Sequence, residues 1–276
     1  MDDRLKGKQF SAEDVENLYQ QNVDYYSKLV ENKDDEFDLL RLYFGEDYYV
    51  NDRIIIKQPT IQNIIDLGEK VFFSTIAPFI SNTTSFRVQL WDLGIDWNEI
   101  SDFELFSLLI KTVSVNETKI MFGDLDFSTF DLVGKPNDDG TIIPILFSKE
   151  MRMEIDEETY LKIRKYMCKM FDIELKDRFI KNKSLRREVI AKARADMLKD
   201  KVEKSSFVQM ISFALNHPGF KYKKNELREV GYVEFIDSIK RLQVYEATRS
   251  LNMGKYSGFC DLSKVPEEEF NFMRKI

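Results

Sequence analysis

After Asp156 the hydrophobic residues of this chain change period. Ahead of it lie short runs of β-branched and aromatic residues; beyond it the apolar positions recur every three to four residues to the C-terminus. Period 3.6 fits one face of a helix and not a half-buried strand, so everything beyond Asp156 is predicted helical. The first helix there opens on Asp156-Glu157-Glu158 and lines Tyr160, Ile163, Met167, Met170 and Phe171 along one side. More follow at about 184–204, 205–216, 224–230 and 232–250, then a loop around Gly254 and Gly258 and a last turn after Pro266.

The first half is mixed. Tyr48-Tyr49-Val50 and Arg53-Ile54-Ile55-Ile56 flank Asn51-Asp52, the pattern of a β-hairpin with a two-residue turn. Phe127 to Val133 and Thr141 to Phe147 flank Lys135-Pro136-Asn137-Asp138-Asp139-Gly140, a second hairpin, and Lys119 to Phe122 also reads β-like. Helices are predicted over 11–31, from the Thr60 cap toward Pro78, and over 98–111 behind Ser101-Asp102. The expected fold is therefore α+β, predominantly helical, with two short hairpins in an N-terminal lobe (1–175) and an all-helical C-terminal lobe (176–276). With 43% hydrophobic residues, 11 Gly and 6 Pro in 276 residues, the chain can bury a sizeable core, and collagen-like or bulk-disordered classes are excluded.

Charge is unevenly placed. Residues 1–50 hold six basic and thirteen acidic side chains, a net −7 that equals the charge of the whole protein. Lys176 to Lys204 hold eleven basic and five acidic, a net +6. The apolar residues Leu185, Val189, Ala193 and Met197 recur every four positions there, so the helix has a core-facing use, while its bases offer a nucleic-acid surface that the overall charge opposes.

Catalytic and metal signals are sparse. His217 is the one histidine, in the turn-like Asn216-His217-Pro218-Gly219; Ser-His-Asp or Cys-His chemistry would have to pass through it. Two cysteines, Cys168 and Cys260, make neither a disulfide framework nor, with one histidine, a zinc site, and they fit a reducing compartment. The best paired carboxylates are Asp124 with Asp126 and Asp92 with Asp96, without the register of a calcium loop. Gly254-Lys255-Tyr256-Ser257-Gly258 lacks P-loop spacing and reads as a tight loop. No catalytic residue, cofactor or metal is expected. The start of the chain has no apolar h-region, and no window approaches the roughly 18 apolar residues of a membrane span.

Three groups of residues resemble a family. The run Ile56-Lys57-Gln58-Pro59-Thr60-Ile61 through Glu69, the segment Phe86 to Asp102 with its Leu90-Trp91-Asp92-Leu93-Gly94-Ile95-Asp96-Trp97 core, and a closing set of Ser238 to Gln243, Gly254 to Gly258 and Phe270-Asn271-Phe272-Met273 are similar to proteins from the tail-morphogenesis region of phages and prophages of Gram-positive bacteria. The similarity covers roughly 46–105 and 205–276. Some members look like tail assembly chaperones, which hold the tape-measure protein while tail-tube subunits polymerise along it. The resemblance implies a non-enzymatic protein, binding tape-measure or tail-tube protein in the host cytoplasm, with self-association allowed; a virion structural component is the near alternative. A nucleic-acid-binding regulator using the basic helix is the distant one.

The expected partner surface is the aromatic-rich segment 205–276: Phe207, Met210, Phe213, Phe220, Tyr232, Phe235, Tyr245, Phe259, Phe270 and Phe272. About seventy residues struggle to bury so many rings internally, and aromatic and Met side chains are enriched at interfaces. The opposing expectation is that these rings pack against residues 1–175.

Overall fold

Caps and breakers place the elements of the chain, which a computed structural model describes over residues 38–136, 141–176, 179–200, 206–258 and 261–275. The helix expected at 11–31, the turn residues 137–140, Phe259 and Cys260 lie outside the described residues. The chain divides into two units, 1–40 and 41–276, and the second carries nearly all that follows. A short helix, α1 (Leu39–Tyr43), precedes a hairpin of β1 (Tyr48–Tyr49) and β2 (Ile55–Ile56). Tyr48 pairs with Ile56 and Tyr49 with Ile55, and the Val50 N–H donates to the Ile54 carbonyl at 3.0 Å. That register leaves three loop residues, Asn51-Asp52-Arg53, where the sequence suggested two. Asn51 Oδ1 accepts from the N–H groups of Arg53 and Ile54, both at 2.9 Å, so its side chain closes the loop, and neither Asn51 nor Asp52 takes the positive φ of a two-residue turn.

Thr60 caps α2 (Ile61–Leu67) through a reciprocal bond with Asn63. The single helix expected from Thr60 is two: Gly68 separates α2 from α3 (Glu69–Ile76), and Pro78 sits in a 3₁₀ turn, Ala77–Phe79. After α4 (Arg87–Asp92), Ser101 and Glu104 form the capping box of α5 (Asp102–Leu109). Ser114 and Glu117 form another for α6 (Val115–Phe122). This second box overturns the β-like reading of Lys119 to Phe122: with its first turn pre-formed, the segment turns Thr118, Met121 and Phe122 inward on one helical face.

The second hairpin is present as β3 (Asp131–Pro136) and β4 (Ile142–Ser148), antiparallel from Asp131↔Phe147 to Pro136↔Ile142. Phe127–Thr129 is a 3₁₀ turn capped by Asp126, so the first strand begins later than expected. A third strand, β5 (Met153–Ile155), completes a sheet of order β3-β4-β5. Asp156 then caps α7 (Glu157–Met170), accepting from the Thr159 N–H at 2.8 Å. Among the described residues beyond it the regular elements are all helical: α8 (Lys183–Asp200), α9 (Ser206–Asn216), a 3₁₀ turn at Glu226–Glu229, α10 (Tyr232–Ser257) and a 3₁₀ turn at Glu267–Phe270. The fold is α+β and mostly helical, and among the described residues no helix is long and apolar enough to cross a membrane.

Helix α10 corrects the loop expected around Gly254: it continues for 26 residues, about 39 Å, and stops at Gly258, whose left-handed φ of 69° is the usual glycine C-terminus. Its N-terminal end is anchored far back in sequence. Ile61 N–H donates to the Val230 carbonyl and Tyr232 N–H to that of Pro59. A Cβ at Gly231 would meet the amide end of the Gln58 side chain, so a larger residue there would have to push that side chain aside.

Candidate protein-binding surface

The acidic pair around Gly94 has a structural use. The turn from Leu90 to Trp97 holds α8 by two ion pairs, Asp96 with Arg186 and Asp92 with Arg194. Arg186 is buried and also donates through Nε to the Ile180 carbonyl. Between the two pairs, Val88, Leu90, Trp97, Leu105, Ile180, Ile190 and Ala193 form one buried cluster, with Trp91 packed against it; the two indoles lie 6.0 Å apart. Segments from both sides of residue 175 therefore share this core. The expected stripe of α8 is displaced: Ala193 is buried and Val189 half-buried, but Leu185 and Met197 are exposed while Arg186 and Ile190 turn in. Periodicity alone misplaces the face because the residue that Asp96 draws inward is an arginine.

The other candidate groups have local partners. Asp124 pairs with Lys119 at 2.9 Å on the surface, and Asp126 accepts from the Ser128 N–H and hydroxyl as a cap. Asp138 and Asp139 lie outside the described residues. His217 Nδ1 accepts from the Gly219 N–H at 3.0 Å, its Nε2 faces Glu246 at 3.5 Å, and its ring lies 5.3 Å from Phe213; the histidine holds a turn at the end of α9. Burial pushes the Cys168 thiol up to about 11, which makes it a poor nucleophile at neutral pH. Among the described residues no three His, Cys, Asp or Glu side chains gather as a metal site would need. A cleft of about 180 Å³ bordered by Arg87, Val88 and Met197 is smaller than the roughly 300 Å³ at which small-molecule sites begin.

The aromatic segment divides into buried and exposed members. Phe207, Tyr232 and Phe235 are buried. Phe207 and Tyr232 stack 6.4 Å apart with their planes at 15°, Phe171 approaches Tyr232 to 4.9 Å and Phe73 approaches Phe207 to 5.9 Å. Phe207 and Tyr232 therefore pack with residues from the first 175, and Phe235 packs on Phe207 with ring centroids 5.8 Å apart. Desolvation, and secondarily the charge of Asp172, pushes the Tyr232 hydroxyl up to about 12. Met210, Phe220 and Phe270 are half-buried. Phe213, Tyr245 and Phe272 are exposed, Tyr245 by 47% and Phe272 by 45%.

Around Tyr245 and Phe272 lie exposed groups that sequence reasoning passed over. Met253 is 64% exposed, and Tyr256 and Met273 are each 86% exposed. Their signal was a helical repeat from Tyr245 through Arg249 and Asn252 to Tyr256, hidden because Gly254 suggested a loop. The C-terminal tail is fixed beside this face. Arg274 donates to Thr248 Oγ1 at 2.6 Å and to the Glu269 carbonyl at 2.7 Å, and Arg241 donates to the Arg274 carbonyl at 2.8 Å. Phe272 is thereby laid 5.5 Å from Tyr245, and Lys255 Nζ sits 5.0 Å over the Phe270 ring. No protein-family model matches the chain, and no curated protein or solved structure is significantly similar to it.

Proposed function

We propose that this chain is a non-enzymatic phage tail assembly protein of the chaperone type, which binds tape-measure or tail-tube protein during morphogenesis. Two things support the reading: the resemblance of 46–105 and 205–276 to tail-morphogenesis proteins, and an exposed surface of Tyr, Phe and Met side chains on α10 and the tail. The surface carries the argument. Large exposed apolar groups on an ordered helix cost solvation unless a partner covers them, and the resemblance names the kind of partner. The engagement of Arg186 and Arg194 by carboxylates leaves less free positive charge on α8 for a nucleic acid.

Co-purification of the full chain with co-expressed tape-measure and tail-tube proteins tests the proposal. A stable complex before tails form, with the chain missing from finished particles by mass spectrometry, is the expected result. Its presence in finished particles at stoichiometric amount replaces the chaperone by a virion component. Retention on DNA that falls steeply with salt, with no tail protein captured, overturns both.

A further inference from the structure

Helix α10 is two helices in terms of its surroundings. Its residues up to Thr248 include Tyr232, Phe235, Ile239, Val244 and Thr248 in the buried core, and beyond Thr248 none of its residues is buried. At 100° per residue, Tyr245, Arg249, Asn252 and Tyr256 fall within about 60° of one another and span about 16 Å, with Met253 at their side. The tail sets Phe272 against Tyr245, so Phe272 borders this stripe, with Met273 next to it in the chain. At about 200 Å² for each such side chain, Tyr245, Met253, Tyr256, Phe272 and Met273 leave roughly 650 Å² open to solvent. Summed, this approaches the roughly 800 Å² that one partner contributes to a specific interface.

The charges on this stripe indicate what covers it. Arg249 lies in its middle, is exposed, and its side chain has no hydrogen bond or ion pair among the described residues; Lys255, at its end, sits over the Phe270 ring. The neighbouring carboxylates Glu246 and Glu269 face His217 and Arg274, while Glu267 and Glu268 stand exposed at the start of the tail's 3₁₀ turn. Tyr, Phe, Met and Arg are the residues enriched where interfaces bury their centres, with Lys and Glu depleted. A two-fold pairing of α10 with itself would bring two copies of Arg249 together across the axis, which disfavours a second copy of this chain.

We infer that the stripe formed by Tyr245, Arg249, Met253 and Tyr256 with Phe272 and Met273 is the docking site for an amphipathic, acidic helical segment of another protein, whose apolar side covers the rings and whose carboxylate pairs with Arg249. The inference rests on reading the chain as a protein-binding assembly factor, and adds the place and the chemistry. An amphipathic helix whose apolar face covers an apolar surface is a standard mode of recognition.

Fluorescence anisotropy of the full chain with two labelled 18-residue amphipathic peptides tests it. The two share one Leu face and carry either Glu or Lys on its flanks. The Glu peptide should bind at least tenfold more tightly than the Lys peptide. Arg249→Glu should reverse that order, and Tyr256→Ala should weaken the Glu peptide at least tenfold with the circular dichroism spectrum and melting temperature unchanged. Equal binding of both peptides, or binding indifferent to both substitutions, overturns the site. So does sedimentation of the chain as a dimer that Tyr256→Ala dissociates, because a second copy would then be the occupant. Capture of tail proteins separates this idea from the one beneath it. If no tail protein is captured but the Glu peptide binds through Arg249, the assembly function fails and the site stands; if tail protein is captured equally by wild type and Arg249→Glu, the site fails alone.

Discussion

The α8 clasp and the outer half of α10 are made from the same kinds of side chain and end in opposite states. In the clasp, Trp91 and Trp97 lie with Arg186 and Arg194, and each arginine meets an aspartate from the Leu90–Trp97 turn. On α10, Tyr245 and Tyr256 flank Arg249, and among the described residues no carboxylate pairs with it. Aromatic groups beside arginine are thus not in themselves a sign of core or of interface. The difference is whether the same chain provides the opposing charge and the opposing apolar wall. Where it does, the arrangement holds two distant segments together; where it does not, both remain available to another molecule.

The comparison breaks most visibly in the clasp. Trp97 is among the largest fully buried side chains, and Trp97→Ala should lower the unfolding free energy by about 3–5 kcal/mol. Asp96→Ala should cost about 3 kcal/mol, because Arg186 would be left charged and buried with only backbone carbonyls as partners. Urea unfolding followed by tryptophan fluorescence measures both. A loss below about 1 kcal/mol for either would mean that α8 is held by something other than the turn.

Alkaline pH tests the burial of Cys168 on α7 and of Tyr232 on the inner half of α10. Burial raises the thiol of Cys168 from 9.0 to about 11, and burial with the nearby Asp172 raises Tyr232 from 10.0 to about 12. Both groups are neutral when protonated, and the folded chain keeps their protons to higher pH than the unfolded chain. The stability they contribute is complete below about pH 9 and falls as pH rises through 11 and 12, by up to about 1.4 kcal/mol per pH unit for each group. A melting temperature that declines from pH 9 upward, with a shallower decline in Cys168→Ala, is the expected profile.

Much of this contrast was legible in the residues, and its failures have physical causes. Thr60, Asp156 and Pro78 marked helix boundaries because capping and ring closure act locally, within a few residues of sequence, while the helix expected from Asn98 begins only at Asp102, behind the Ser101 cap. The β3–β4 hairpin was likewise visible from its paired runs. Lys119 to Phe122 misled because its three apolar residues, Ile120 to Phe122, fit either period, and the deciding signal, Ser114 with Glu117, lies outside them. Strand β5 is three residues long, too short to carry a period, and exists because β4 offers it an edge. The carboxylate pair Asp92 and Asp96 was noticed but its partners were not, since Arg186 and Arg194 lie 90 and 102 residues further on. Among the aromatic candidates, composition gave the segment; which rings turn outward depends on where Phe72, Phe73 and Phe171 stand in space.

Within the clasp itself the two ion pairs should differ. The side chains of Asp92 and Arg194 are about half exposed, so water and salt screen their attraction. Asp92→Ala should cost less than about 1 kcal/mol, and that loss should shrink further in 0.5 M salt, while the cost of Asp96→Ala should change little. Equal losses would show that burial is not what separates them.

The smallest expected effect is the most informative about the outer half of α10. Tyr256 covers no buried group, and the helix around it is held by its own backbone bonds up to the Gly258 terminus, so Tyr256→Ala removes surface that the folded and unfolded chains both expose to water. Alanine also has the higher helix propensity, by a few tenths of a kcal/mol. The melting curve should therefore stay within about 0.5 kcal/mol of wild type, or move slightly upward. A tyrosine whose removal leaves the fold intact and abolishes partner binding is held by selection on binding. A loss above about 1.5 kcal/mol would instead place Tyr256 against a part of this same chain, and the contrast between the clasp and the stripe would reduce to two pieces of one core.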